Sequence, residues 1–314
     1  MRVRKILIRG VLILVGLPTL LALIAVVLFY ALFYFPNRTT STTGTIVSAG
    51  QKREYLLYVP KSYDPANPTP LVISLHPAMS WPTSQMNISQ WNNVADEHGF
   101  IVVYPAGIGR GPRTWFMTGW QSPSRMPDVL FISELIDTLE VSYHIDQRRI
   151  YADGLSNGGG MAFVLSCTLA DRIAAVGMVA AARSLEWQWC PGHRPVPTIA
   201  VHGTADPVAP YNGGRTPVGP DVFPSVLSFT ATWAQRNRCG PTPLASTIAA
   251  DVTRLEYMDC ADSATVVLYT VQGGGHQWPG GKPLPAFLVG PYSRSIDATR
   301  LIWAFFREHP LPTK

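Results

Sequence analysis

Charge is scarce in this sequence. Only 14% of its 314 residues are Asp, Glu, Lys or Arg, against a usual ~25%. With 47% hydrophobic residues, that scarcity excludes a disordered polyelectrolyte. A surplus of one sign is missing too. Four of the 25 basic residues, Arg2, Arg4, Lys5 and Arg9, crowd the N-terminus, which leaves 21 against 20 acidic residues for the remainder. A chain so balanced has no basic face for phosphates, so no nucleic-acid partner is expected. Cysteine is sparse at four residues, and none stands in CxxC or Cys/His zinc spacing. The seven histidines are scattered and no HExxH occurs, so the sequence offers no metal site. The 28 prolines and 26 glycines follow no collagen period, and no internal repeat is visible.

One apolar run is long. Gly10 to Phe35 carries no charge over 26 residues, more than the ~20 a bilayer crossing needs. It exceeds the ~7–15-residue core of a cleavable signal and ends in Phe29, Tyr30, Phe33, Tyr34 and Phe35, rings suited to a membrane interface. With the four basic residues ahead of it held on the cytoplasmic side, residues 1–35 are expected to form an uncleaved N-terminal transmembrane signal-anchor, with the membrane as a partner. A long cleaved signal peptide is the alternative. Either way the rest lies outside the cytoplasm, periplasmic or at the cell surface, or secreted if the segment is removed. There Cys167, Cys190, Cys239 and Cys260 read as two disulfides. Pairing of near neighbours is the simplest of three connectivities, and four buried thiols remain an alternative.

The polar stretch 36–44 is read as a linker and 45–314 as one domain. Short β-rich runs at 55–59, 71–75, 100–104, 149–152, 175–179, 198–201 and 266–271 alternate with helical patterns at 84–98, 129–143, 158–169, 225–236 and 295–308. That alternation predicts an α/β fold with a mostly parallel central sheet. Long loops at 107–126, 185–197 and 209–224 are candidates for building a site.

The chemistry starts at Gly154-Leu155-Ser156-Asn157-Gly158, which follows an apolar strand and opens a helix. A strand-to-helix turn this sharp presents the Ser156 hydroxyl above the sheet, with glycines where side chains would clash. A serine hydroxyl needs a base, and the base needs a carboxylate to fix its tautomer. Downstream, Asp206 lies in His202-Gly203-Thr204-Ala205-Asp206-Pro207, just past a strand, and His276 stands in the glycine-rich loop 272–281 after the next strand. Ser156, Asp206 and His276 are therefore the expected nucleophile, acid and base, with His202 the competing histidine.

The segments 55–60 with 71–76, GLSNGG at 154–159, HGTADPVAPY at 202–211 and GGGHQWPGG at 273–281 resemble the extracellular esterases of the polyhydroxybutyrate depolymerase type, a group that includes feruloyl and acetylxylan esterases. The resemblance runs from Tyr55 to Phe306. It implies an α/β-hydrolase fold, an acyl-enzyme mechanism with no cofactor, the same triad of Ser156, Asp206 and His276, and an ester substrate: a small molecule, a polyester or a polysaccharide ester. One place departs. The family usually reads His-Gly-Cys after the second of these strands, and this chain reads His76-Pro77-Ala78. Proline has no N–H, so the expected oxyanion-hole donors are the amides of Asn157 and Ala78, with Met79 in reserve. Trp278 and Trp115, with Trp120, Trp187 and Trp189 in the long loops, are expected to line an aromatic substrate cleft. The competing readings are an inactive α/β-hydrolase-like binding module and a lipase or peptidase using the same triad. The oligomeric state is left open.

Overall fold

The computed structural model describes residues 42–109, 113–115, 127–181, 190, 194–216 and 222–313. The expected membrane segment 1–35, residues 36–41 of the linker, and Trp120, Trp187 and Trp189 lie outside them. Among the described residues no helix is long and apolar enough to cross a membrane.

The chain runs β1 (Thr42–Ser48), β2 (Gln51–Tyr58), β3 (Thr69–Leu75), α1 (Pro82–Ser89), α2 (Trp91–His98), β4 (Ile101–Pro105), α3 (Pro127–Ser142), β5 (Ile145–Leu155), α4 (Asn157–Thr168), β6 (Val176–Val179) and β7 (Thr198–Gly203). It continues through a two-stranded ribbon, β8 (Gly214–Arg215) and β9 (Val222–Phe223), then α5 (Val226–Arg236), β10 (Leu244–Ala249), β11 (Val252–Tyr257), β12 (Val266–Val271), α6 (Ala286–Val289) and α7 (Ala298–Glu308). Ten strands form one sheet in the order β1-β2-β4-β3-β5-β6-β7-β12-β11-β10. The six from β4 to β12 pair in parallel, and an antiparallel hairpin closes each edge.

The parallel strands are buried on both faces, which is why they read as nearly continuous apolar runs. Alternate residues go to opposite cores. Leu71, Ile73, Ile101, Val103, Ile150 and Ala152 pack on one side with Phe131, Phe163 and Trp233. Val72, Val102, Tyr104, Tyr151 and Leu155 face the other, with Trp91, Trp303 and Phe306. The chain leaves β3 toward β4 on one side and returns to β5 on the other, so the C-terminal ends of β3 and β5 flank the point where strand order reverses. Open α/β sheets place their ligands at that crevice.

Three expectations need correction. The strand β1 begins at Thr42, inside the stretch read as a linker at 36–44. The helix expected over 84–98 is two helices, broken at Gln90, whose φ is 58°. The hairpin β10–β11 has no counterpart in the expected strands; β10 is largely exposed, and its apolar residues Leu244 and Ile248 form no buried run.

Candidate active site

The turn from β5 into α4 sets the site. Ser156 has φ 56° and ψ −117°, a conformation that costs a non-glycine residue about 1–3 kcal/mol and persists only where its surroundings enforce it. Here they do. The Ser156 N–H donates to Val179 O at 2.9 Å, and Ser156 O accepts from Gly160 N at 2.9 Å. A Cβ on Gly158 would fall 2.1 Å from Leu75 O, and one on Gly154 would fall 2.4 Å from the Gly158 carbonyl carbon. The two flanking glycines are thus required by the close approach of β3, β5 and α4. Among the described residues Ser156 Oγ has no hydrogen-bond partner.

Asp206 and His276 come from the loops after β7 and β12, which are parallel neighbours. A Cβ on Gly203 would lie 2.1 Å from Gly274 O, so glycine there lets the two loops meet. His276 Nδ1 stands 2.8 Å from Asp206 Oδ2. The other carboxylate oxygen accepts from the Val208 N–H at 2.8 Å and the Ala209 N–H at 2.7 Å. His202 Nε2 also approaches Oδ2, at 3.3 Å, while bonding Ala209 O at 2.9 Å. Burial alone would raise the Asp206 pKa; the hydrogen bonds from His202 and His276 outweigh it and hold the carboxyl well below its ordinary value.

The histidine loop is clamped by residues that sequence reasoning passed over or misassigned. The His276 N–H donates to Val289 O at 2.6 Å. The Gln277 amide donates to Leu284 O and Gly290 O and accepts from the Leu284 N–H. Trp278 is fully buried, and its indole donates to Thr299 Oγ1 at 2.8 Å. That corrects the expectation that Trp278 lines a substrate cleft: its surface is spent on the core under α7.

The loop after β3 is fixed by His76, a residue noted only as part of the family motif. Its Nδ1–H donates to Pro77 O at 2.8 Å and its Nε2 accepts from the Gly107 N–H at 3.0 Å, which sets the tautomer. Burial pushes the His76 pKa down to about 4, so the ring is neutral at pH 7. The Trp115 indole donates to His76 O at 2.9 Å, and the Trp115 N–H donates to Asn157 Oδ1 at 2.8 Å. Trp115 is 2% exposed, so this ring also serves as a strut and offers no open face to a substrate. The Met79 N–H is taken by Thr114 Oγ1 at 3.2 Å, whereas the Ala78 N–H has no partner among the described residues.

The four cysteines pair as Cys167–Cys190 and Cys239–Cys260. Among the described residues no group of three or more His, Cys, Asp or Glu side chains is placed to hold a metal ion.

A strained serine between a strand and a helix, with a His–Asp pair at the ends of two further strands, is the arrangement of an esterase-like α/β protein. Comparison with known proteins narrows the class. Residues 53–186 match the family model of esterase PHB depolymerases. Feruloyl esterase B of Piromyces equi is 31% identical over 236 residues, covering 73% of this chain and 44% of that one. Feruloyl esterase C of Emericella nidulans is 29% identical over 265 residues, 81% of this chain and 83% of that one. The chain thus spans less than half the length of the first of these relatives. An acetyl xylan esterase from Aspergillus awamori shares the fold, with a TM-score of 0.59 at 15% identity over 75% of this chain and 94% of that one. The comparisons support a polyhydroxybutyrate depolymerase/feruloyl esterase type of family, with the family match itself confined to residues 53–186.

Proposed function

We propose that this chain is a serine carboxylic ester hydrolase acting on feruloyl- or acetyl-type esters, with Ser156 as nucleophile, His276 as base and Asp206 as its acid partner. The observation that carries this reading is the strained elbow at Ser156 in a sheet whose neighbouring loops join His276 Nδ1 to Asp206 Oδ2 at 2.8 Å. The names of the relatives favour feruloyl and acetyl esters; polyhydroxybutyrate-type polyester is the further candidate.

In this mechanism Ser156 Oγ attacks the acyl carbon while His276 Nε2 takes its proton, and Asp206 holds the Nδ1–H and stabilises the imidazolium. Ser156 Oγ carries no hydrogen bond among the described residues, and in this mechanism its bond to His276 Nε2 forms when substrate fills the site. The carbonyl oxygen becomes an oxyanion, received by the amides of Asn157, at the N-terminus of α4, and Ala78. Collapse breaks the C–O bond, and the alcohol leaves with the proton from His276. Water then repeats the sequence on the acyl-enzyme, releasing the acid and restoring the serine.

The reading also places the catalytic domain, from β1 at Thr42 onward, outside the cytoplasm, held to the membrane by residues 1–35 unless they are clipped. Two disulfides support an oxidising compartment.

The test is hydrolysis of p-nitrophenyl acetate, methyl ferulate, acetylated xylan and 3-hydroxybutyrate oligomers by the full chain and by Ser156→Ala. The wild type should turn over an aromatic or acetyl ester. Ser156→Ala should fold and lose nearly all turnover; a folded variant with substantial residual activity would remove Ser156 as nucleophile.

A further inference from the structure

A cavity of about 360 Å³ is lined by none of the residues of the elbow. It opens toward the N-terminal ends of two central parallel strands, around the start of β3 at Thr69 and the first half of β5 at Arg149, whereas Ser156 follows the C-terminal end of β5. Tyr151 and Trp303 lie buried at it, while Ser62, His98 and Arg307 are exposed around it and Arg149 is half-buried. The volume falls in the range of small-ligand pockets.

Two features distinguish it from an ordinary surface dent. Tyr151 Oη and Trp303 Nε1 are buried polar atoms with no hydrogen-bond partner, and native proteins rarely leave such groups unpaired. An indole N–H can only donate. Burial raises the Tyr151 pKa, so its hydroxyl stays protonated and can donate as well. The second feature is unspent positive charge. Arg307 has no ion pair among the described residues. Arg149 commits Nε to Asp146 at 2.6 Å and Nη2 to Pro68 O at 3.0 Å. The acid lining the cavity, Asp64, is already satisfied by the Ala66 N–H at 2.9 Å and Asn67 Nδ2 at 2.7 Å. Donors outnumber free acceptors.

We propose that this cavity is a second, non-catalytic binding site for a carboxylate-bearing sugar, a uronic acid. The carboxylate would face Arg307 and Arg149, and the ring hydroxyls would reach Ser62, Tyr151 and the Trp303 indole. A bare carboxylate leaves most of the volume empty, and a neutral sugar leaves the Arg307 guanidinium unused. The site lies toward the opposite end of β5 from Ser156, so its occupancy does not depend on the catalytic reading. It suits an enzyme that holds an acidic polysaccharide while working on a substituent elsewhere.

Calorimetric titration of the full chain with D-glucuronate, D-glucose and inorganic phosphate tests this. Saturable binding of glucuronate is expected, with glucose weaker by about tenfold or more, the usual worth of a charge-assisted hydrogen bond. Arg307→Ala, on an exposed residue, should weaken glucuronate by a similar factor, and Tyr151→Phe by a few-fold. Hydrolysis of p-nitrophenyl acetate should be unchanged in both variants. Glucuronate that fails to saturate, glucose that binds equally, or an Arg307→Ala variant with unaltered binding would overturn the proposal. Phosphate binding as tightly as glucuronate would reduce the site to a general anion site and overturn the sugar assignment. Since binding and ester hydrolysis are read separately, loss of one leaves the other interpretable.

Discussion

Two buried carboxyls, one in a loop past the sheet and one within a central strand, teach different things about burial. Asp206, in the loop after β7, is 6% exposed and receives four donors: His276, His202 and the amides of Val208 and Ala209. Asp153, on β5 three residues before Ser156, is fully buried and receives two, the Trp91 indole at 2.5 Å and the Ser74 hydroxyl. Its Oδ1 has no partner. Burial raises the pKa of both; at Asp206 the donors outweigh it, and at Asp153 they do not, so that carboxyl is pushed up to about 7. The count of donors decides the charge state, and the charge state suits one for steadying an imidazolium and the other for filling a core.

The sharpest way to break this division is to make the same substitution at both. Asp206→Asn should lower kcat by ~10⁴, because an amide favours the wrong histidine tautomer while leaving the geometry intact. Asp153→Asn should leave kcat within a few-fold, since it keeps the acceptor for the Trp91 indole. Equal losses, measured on p-nitrophenyl acetate, would end the distinction between an acid partner and a core carboxyl. The paired histidines belong to the same test. His276→Ala should be nearly as damaging as Ser156→Ala, and an active His276→Ala beside an inactive His202→Ala would transfer the base to His202.

The next effect in size concerns donors. In the loop after β3 the Met79 N–H is spent on Thr114, and the Ser80 N–H on Arg113 O at 3.1 Å. Ala78 alone of the three retains a free amide among the described residues. Ala78→Pro removes it. A loss of about 10²–10³ in kcat is expected, the usual cost of one oxyanion donor. A folded Ala78→Pro variant with full activity would exclude that amide.

What was legible in the sequence follows from where each signal resides. The β12 strand has the expected bounds, 266–271, because both its faces are buried and all but Thr270 of its residues are Val, Leu or Tyr. The GxSxG turn could be read because steric closeness at Gly154 and Gly158 leaves no other residue type. The edge strands β1 and β10 gave no comparable pattern, since the Thr, Ser and Gly of β1 look like linker and the apolar residues of β10 are interrupted by Ser246 and Thr247 on an exposed edge. The two tryptophans failed for another reason: Trp278 and Trp115 stand beside motif residues, and sequence proximity cannot separate a ring that meets the substrate from one that supports its loop. Asp153 left no trace, because a lone acid in an apolar strand reads as an interruption until Trp91 is seen across from it.

The smallest effect is thermodynamic and isolates Asp153. Its carboxyl binds a proton more tightly folded, about 7 against 3.8, so the stability held below pH 3.8 is lost as pH rises toward 7. The loss totals about 4 kcal/mol. His76 acts in the opposite sense: its pKa falls from 6.5 to about 4 on folding, so stability present above pH 6.5 is lost as pH drops toward 4. In wild-type protein the two slopes oppose each other and mask one another. Asparagine at 153 cannot titrate, while His76 contributes equally to both proteins and cancels in their difference. Urea unfolding of wild type and Asp153→Asn at pH 4, 5.5 and 8 should therefore show the variant gaining on the wild type as pH rises, with the gain levelling off above 7. A pH-independent difference would mean that Asp153 stays charged in the fold, held by donors as Asp206 is, and the contrast between the two carboxyls would collapse.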